Sequence, residues 1–355
     1  MKVGILGLPG SGKSTLFQLL SESFEEPDYS MPREPRLKRV FVRDARLERL
    51  RDDFQPKKFT PAAIDVLDFP AVAKAGEDRA GLADLLAPAR EVQALIIVLR
   101  AFCSAAVAGG DTVDPISELG EVRGELVLSD LEVVERRLEK LDAKSKKPTF
   151  DDDDQVEQDL LGRIKLHLEG ENELTTFELS ADERKRLAGF GFLSAKPFVT
   201  VVNRDENAVS GETLQGLSAA GADELMVIPV GSEAEILQLP EEERDEFLTE
   251  YGVEKFHRDD VIAAAYRAAG EISFFTAGEK EVRAWTIRAG QTAPEAAGAI
   301  HSDFERGFIR AEVVSFEDYC VHGSLKKAKE AGVYRLEGKT YIVNDGDVVE
   351  FRFSV

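Results

Sequence analysis

The sequence predicts an α/β protein built on a parallel sheet, with a helical insertion and a small α+β domain in its last part. Three observations carry this expectation. Short apolar runs at residues 63–67, 94–99, 198–202 and 225–230 have the length and continuity of strands buried on both faces. Between the second and third of them lies a segment whose apolar residues recur at helical spacing. After about residue 275 the texture becomes β-rich, with turn signals between the runs.

A chain of 355 residues has room for two or three domains. Its 43% hydrophobic and 32% charged residues are those of an ordinary folded protein, which excludes disorder as the main state. No apolar run approaches the ~20 residues that span a bilayer, and Met1 to Gly7 lead straight into a turn instead of a leader's apolar stretch. The expectation is a cytoplasmic protein with no membrane partner. Cys103 and Cys320 stand far apart and read as free thiols. The net charge of −22 argues against attraction of the whole body to nucleic acid, and residues 195–277, with 6 basic and 17 acidic side chains, hold much of it.

The first element is a strand, Val3, Ile5 and Leu6, followed by Gly7-Leu8-Pro9-Gly10-Ser11-Gly12-Lys13-Ser14-Thr15 and a helix with Leu16, Phe17, Leu19 and Leu20 on its apolar side. Gly-x-x-x-x-Gly-Lys-Ser between a strand and a helix is the phosphate-loop pattern. Its glycines let successive backbone N–H groups turn toward a β-phosphate at the positive end of the helix. Lys13 would reach the β- and γ-phosphates, and the Ser14 hydroxyl would hold Mg²⁺.

Such a loop needs a carboxylate on the metal side at the end of a neighbouring strand. Residues 63–68 read Ala-Ile-Asp-Val-Leu-Asp, with Asp68 at the strand's carboxyl end and Asp65 turned elsewhere. The run 33–58 is the most basic in the chain, and reads equally well as an RNA-phosphate surface or as a solvated face paired with Glu48, Asp52 and Asp53.

Leu131, Val134, Leu138 and Leu141 alternate steps of three and four, a coiled-coil-like stripe. Residues 144–148 and the four aspartates 151–154 suggest a polar tip, and Val156, Leu160, Ile164 and His167 a weaker returning stripe. An antiparallel helical arm and a helical pair lying flat on the body both satisfy this pattern.

The run 198–202 leads into Asn203-Arg204-Asp205-Glu206, where guanine-specific proteins carry Asn-Lys-x-Asp. The aspartate of that pattern accepts from guanine's N1–H and N2 amine. Glu206 is one methylene longer and displaces those acceptors, which favours ATP. In the last part, Trp285-Thr286-Ile287 and Tyr341-Ile342-Val343 are β-rich, Asn344-Asp345-Gly346-Asp347 signals a turn, and 348–353 alternates as a final strand.

Taken together, these residues resemble the YchF or Obg-like ATPase family, a branch of the translation-factor class of P-loop GTPases. The signs are Gly7 to Thr15, Val113-Asp114-Pro115, the helix 126–141, Asn203-x-x-Glu206, and Phe275-Thr276-Ala277-Gly278. Residues 281–286, 301–312 and 335–339 extend the likeness to essentially the whole chain. The resemblance implies a P-loop NTPase parallel sheet (G domain) of residues 1–125 and 195–275, a helical coiled-coil insertion of 126–194, and a β-grasp (TGS-like) domain of 276–355.

It further implies slow hydrolysis of ATP in preference to GTP, and association with ribosomes. By the same likeness, Pro9, Gly10, Ser11, Gly12, Lys13, Ser14 and Thr15 hold phosphates, with Lys13 as the catalytic lysine. Ser14 and Asp68 hold Mg²⁺, Asn203 and Glu206 face the base, and Gly231 and Ser232 lie close to it.

The chain departs from that pattern where the family has Asp-x-x-Gly, here Asp68-Phe69-Pro70-Ala71, because Pro70 has no backbone donor for a γ-phosphate. Residues 30–35 contain no threonine for the metal, and Gly10-Ser11 replaces a common Asn-Val. Val72 stands where a glutamine would orient water, so turnover needs another group or a partner. The expected protein is a monomeric, ribosome-associated ATPase that also accommodates GTP. A hydrolysis-deficient adaptor and a conventional GTPase are the alternatives.

Overall fold

The computed structural model describes residues 1–24, 35–69, 86–103 and 113–354. They form two compact units, Met1–Arg39 with Asp65–Val261, and Val40–Ile64 with Ile262–Val355.

The first unit is organised by a six-stranded sheet. Its strands are β1 (Lys2–Leu6), β2 (Arg36–Phe41), β4 (Ala63–Asp68), β5 (Ala94–Ala101), β6 (Phe198–Arg204) and β7 (Met226–Ile228), in the order β2-β4-β1-β5-β6-β7. From β4 to β7 every pairing is parallel, as the short apolar runs predict. Both faces of β5 are buried: Leu95, Ile97 and Leu99 belong to one core, while Ala94, Ile96 and Val98 turn to the opposite face and are equally inaccessible. β7 is shorter than the run 225–230 because Pro229 cannot donate to a ladder.

Helix α1 (Lys13–Ser21) follows β1, and α3 (Pro115–Ser145) follows β5. Asp114 caps α3 by accepting from the Ile116 and Ser117 amides at 3.1 and 3.0 Å, and Pro115 occupies the first turn. The helix therefore begins well before residue 126. Its root, Leu119, Val122 and Leu126, packs in the sheet's core, and only its outer half pairs with α4 (Asp152–Glu169).

Helices α3 and α4 run antiparallel, laced by Lys144–Asp154 at 2.5 Å, Arg137–Glu157 at 2.6 Å and Lys165–Glu135 at 2.8 Å. Two details differ from the sequence expectation. The buried stripe of α4 is Leu160, Leu161, Ile164 and Leu168; Leu160 and Ile164 lie on it as the spacing predicts, whereas Val156 is exposed and His167 bonds the Glu173 carbonyl, and Leu161 and Leu168 complete the face instead. The aspartate run is also more than a polar tip. Asp151 and Asp154 form a capping box, and Asp152 to Asp154 fill the first turn at the helix's positive end. The short helix α5 (Ala181–Leu187) leads back toward β6, and α6 (Gly211–Ala219), α7 (Val230–Leu237) and α8 (Glu241–Glu250) complete this unit.

The second unit carries a mixed sheet in the order β11-β10-β12-β8-β9-β3. Its strands are β3 (Lys58–Thr60), β8 (Glu271–Ala277), β9 (Glu281–Arg288), β10 (Phe308–Ser315), β11 (Arg335–Glu337) and β12 (Asp347–Phe353). β8 and β9 form a hairpin, and β12 joins β8 in parallel. The sheet wraps α10 (Ala293–Ile300), whose Ala293, Ala296 and Ala297 pack with Phe274, Ile287, Val313 and Val349. That is a β-grasp arrangement. Of the run 341–343, only Ile342 reaches a bridge, to Thr292, because the chain is already turning toward Gly346, with φ 86°. The short helices α11 (Ser302–Arg306), α12 (Phe316–His322) and α13 (Leu325–Glu330) connect the strands.

Residues 40–64, which the sequence order put with the first domain, fold into this second unit. Strand β3 adds to β9, with Lys58–Glu281 at 3.0 Å and Thr60 Oγ1 donating to Glu281 at 2.8 Å. Helix α2 (Ala45–Phe54) is held by the Tyr319 hydroxyl, which donates to Asp53 at 2.9 Å. α9 (Arg258–Ala268) precedes β8.

Candidate nucleotide site

Leu6 ends the central strand, so the chain leaves the sheet at its carboxyl edge and curls into the loop 7–12. Two glycines are obligatory there. A Cβ on Gly7 would lie 2.5 Å from the Val98 carbonyl, and one on Gly12, at φ 93°, would lie 2.2 Å from Asn203 Nδ2. Gly12 caps α1 without a side-chain hydrogen bond, which leaves the first-turn amides available to an anion. Pro9 and Gly10 form the exposed lip, and Thr15 is half-buried. Ser11 is buried, and its Oγ has no hydrogen-bond partner.

Lys13 is 7% exposed and donates to the Leu8 carbonyl at 3.2 Å, closing the loop on itself. Burial lowers its pKa, and the nearby Asp68 carboxylate opposes that shift. Asp68 lies at the end of β4, buried, and accepts on Oδ2 from the Ser14 hydroxyl at 3.0 Å. Arg36 donates to the same oxygen, from Nε at 3.2 Å and from Nη2. Asp68 Oδ1 is buried and has no partner. Asp65 is engaged elsewhere, by Arg39 at 2.9 Å.

Among the described residues no group of three or more His, Cys, Asp or Glu could cage a metal. A hydroxyl beside a carboxylate with one unused oxygen is instead the donor set for Mg²⁺, which keeps waters and completes its shell with phosphate oxygens. The residues present fit that ion.

At the far side of the loop, Asn203 ends β6 in a buried position. Its Nδ2 donates to the Ser11 carbonyl at 3.0 Å, and its Oδ1 accepts from the Val230 amide at 3.2 Å. The sequence pattern had Asn203 facing a base. In the structure both ends of its amide tie the loop to the start of α7. Glu206 and Gly231 are exposed and Ser232 is half-buried, so these three remain open to a ligand. The next residue, Glu233, is fully buried and accepts from the His257 backbone at 2.9 Å and from its Nδ1 at 2.5 Å, which raises the His257 pKa. Arg258 then bonds the Leu20 carbonyl at 2.9 Å and pairs with Glu22 beyond the end of α1.

Sequence reasoning did not select Arg36, Glu233 or His257. Arg36 was one cation in a basic run, and only the strand order puts it beside Asp68. Among the described residues of that run, Arg39, Arg43, Arg46, Arg49, Arg51 and Lys58 each meet a carboxylate. The departures at Pro70, Ala71 and Val72, and those at residues 30–34, lie outside the described residues. Among the described residues no helix is long and apolar enough to cross a membrane.

Residues 272–354 match a family model named YchF-GTPase_C and described as "Protein of unknown function (DUF933)". The chain is 38% identical to the "Ribosome-binding ATPase YchF" of Bacillus subtilis (strain 168), over the full length of both. It is 36% identical to "Obg-like ATPase 1" of Caenorhabditis elegans, covering 100% of this chain and 92% of that one. The solved "Structure of the Schizosaccharomyces pombe YchF GTPase" superposes with a TM-score of 0.79 at 28% identity, over 99% of this chain and 97% of the other. Likeness of this extent, spanning both units and the loop between β1 and α1, makes the chain a member of the YchF/Obg-like ATPase family.

Proposed function

We propose that this protein binds ATP with Mg²⁺ in the loop between β1 and α1, hydrolyses it slowly, and acts as a monomeric regulator on the ribosome. The observation that carries the nucleotide reading is the convergence of an uncapped helix start, a buried Lys13 and the Ser14–Asp68 pair around one loop. The amides of residues 10–15 take the β-phosphate, and the Lys13 ammonium takes the β- and γ-oxygens. Ser14 and Asp68 hold the ion, which when bound neutralises charge on the terminal phosphates. Burial lowers the Lys13 pKa, and a triphosphate placed beside the ammonium favours its charged form and gains an electrostatic contact.

Glu206 supports ATP over GTP, since its longer side chain is displaced from guanine's donors. The relatives named ribosome-binding ATPases support the partner. A second reading, a hydrolysis-deficient adaptor, is favoured by Val72, which cannot orient a water. Single-turnover hydrolysis with Lys13→Ala as control separates the two: the enzyme reading expects slow cleavage that the substitution abolishes, and no cleavage by the unaltered protein supports the adaptor. GTP competing more strongly than ATP would overturn the base assignment. Equal absence from ribosomal fractions with and without ATP would overturn the partner.

A further inference from the structure

The metal side of this site already contains a cation. Asp68 is 6% exposed, and a carboxylate so withdrawn from water needs a countercharge. Arg36 supplies it, donating from Nε at 3.2 Å and from Nη2 to Oδ2, the same oxygen that accepts from Ser14 at 3.0 Å. The guanidinium is held from a second direction by the Phe17 ring, with 4.9 Å between its central carbon and the ring centroid. Phe17 is buried on α1, the helix that begins with Lys13 and Ser14, so Arg36 is anchored to the same element as the loop.

We infer that Arg36 is a built-in competitor of Mg²⁺: it occupies Asp68 until the ion arrives, and so sets the Mg²⁺ concentration at which nucleotide is held. The inference rests on the nucleotide reading above. Its physical basis is that a guanidinium and a divalent ion compete for one carboxylate oxygen, because two positive charges in contact with the same atom repel each other. Binding of the ion then requires the Arg36–Asp68 pair to open, and the free energy of that pair is subtracted from the affinity for Mg²⁺. The unpartnered Asp68 Oδ1 does not remove the conflict, since the Ser14 hydroxyl, the other protein donor to the ion, is aimed at Oδ2. Arg36 thus acts on the metal only through Asp68.

The test is a Mg²⁺ titration of a fluorescent ATP analogue bound to the full-length chain, comparing the unaltered protein with Arg36→Gln and Arg36→Lys. Glutamine keeps a stem that can lie on Phe17 while losing the charge; lysine keeps the charge. The inference expects the Mg²⁺ midpoint to fall about tenfold in Arg36→Gln, equivalent to about 1.4 kcal/mol, and to stay within about threefold of the unaltered protein in Arg36→Lys. An unchanged or raised midpoint in Arg36→Gln overturns it. Should Arg36→Gln not fold, as judged by circular dichroism, Arg36→Met takes its place with the same two outcomes. Absence of saturable uptake by the unaltered protein at millimolar Mg²⁺ overturns the nucleotide reading itself, and this inference with it.

Discussion

Asn203 and Ser11, separated by 192 positions in the chain, are joined by a hydrogen bond of 3.0 Å from the asparagine amide to the serine carbonyl. With the Val230 amide at 3.2 Å on its other end, Asn203 sets the loop at a fixed distance from α7. Asn203, expected to face the base, is thus also part of the scaffold that shapes the phosphate end.

Asn203→Ala is expected to lower stability by about 1–3 kcal/mol, since two buried backbone groups lose their partner, and to weaken ATP binding at the same time. Chemical denaturation alongside nucleotide titration checks both. Loss of binding with unchanged stability would mean that Asn203 acts on the nucleotide and not through the scaffold.

Gly12→Ala places a methyl 2.2 Å from Asn203 Nδ2 at a backbone φ of 93°. The loop must move, and a destabilisation of about 1–3 kcal/mol with loss of nucleotide binding is expected. Gly231→Ala, which meets open space, should leave stability within about 0.5 kcal/mol of the parent.

The His257–Glu233 pair gives the first unit a pH dependence. Its raised pKa means that the pair's contribution is fully present below the ordinary histidine value, about 6.5, and disappears as pH rises through the folded-state value above it. The melting temperature should fall between pH 6.5 and the alkaline side, and Glu233→Gln should flatten that slope. A parallel slope in the variant would contradict the assignment.

Lys13 illustrates a residue retained for binding and not for stability. Burial lowers its pKa, so the free protein gains little from its charge. Lys13→Met is expected to keep the stability of the nucleotide-free protein within about 1 kcal/mol, while ATP no longer raises the melting temperature. A large loss of stability without nucleotide would make Lys13 structural instead.

Asp151→Ala removes the capping box of α4 and should cost about 1 kcal/mol, read by thermal unfolding, with nucleotide binding unaffected. A linked loss of binding would mean that the arm and the loop are coupled.

Where a local pattern decides the structure, the sequence was sufficient. The run Val3 to Leu20 carries strand, glycine turn and helix within eighteen or so positions, and the buried strands announce themselves by short, largely apolar runs. Asp68 was legible because a strand's carboxyl end points at the loop. Arg36 was not, since its place beside Asp68 depends on which strand takes the edge position. The assignment of β3 to the second unit was hidden for the same reason: a pairing such as Lys58 with Glu281 has no local signature. The stripe of α4 shows a further limit: Leu160 and Ile164 were legible from their spacing, but Leu161 and Leu168, which complete the face, were not, because two adjacent leucines are both buried there.

Calorimetric titration of ATP into the purified protein with Mg²⁺ present tests the central claim most directly. The expected result is saturable binding at one site per chain, abolished by Lys13→Ala and weakened when Mg²⁺ is chelated. Heat of dilution alone, or equal binding by Lys13→Ala, would contradict it.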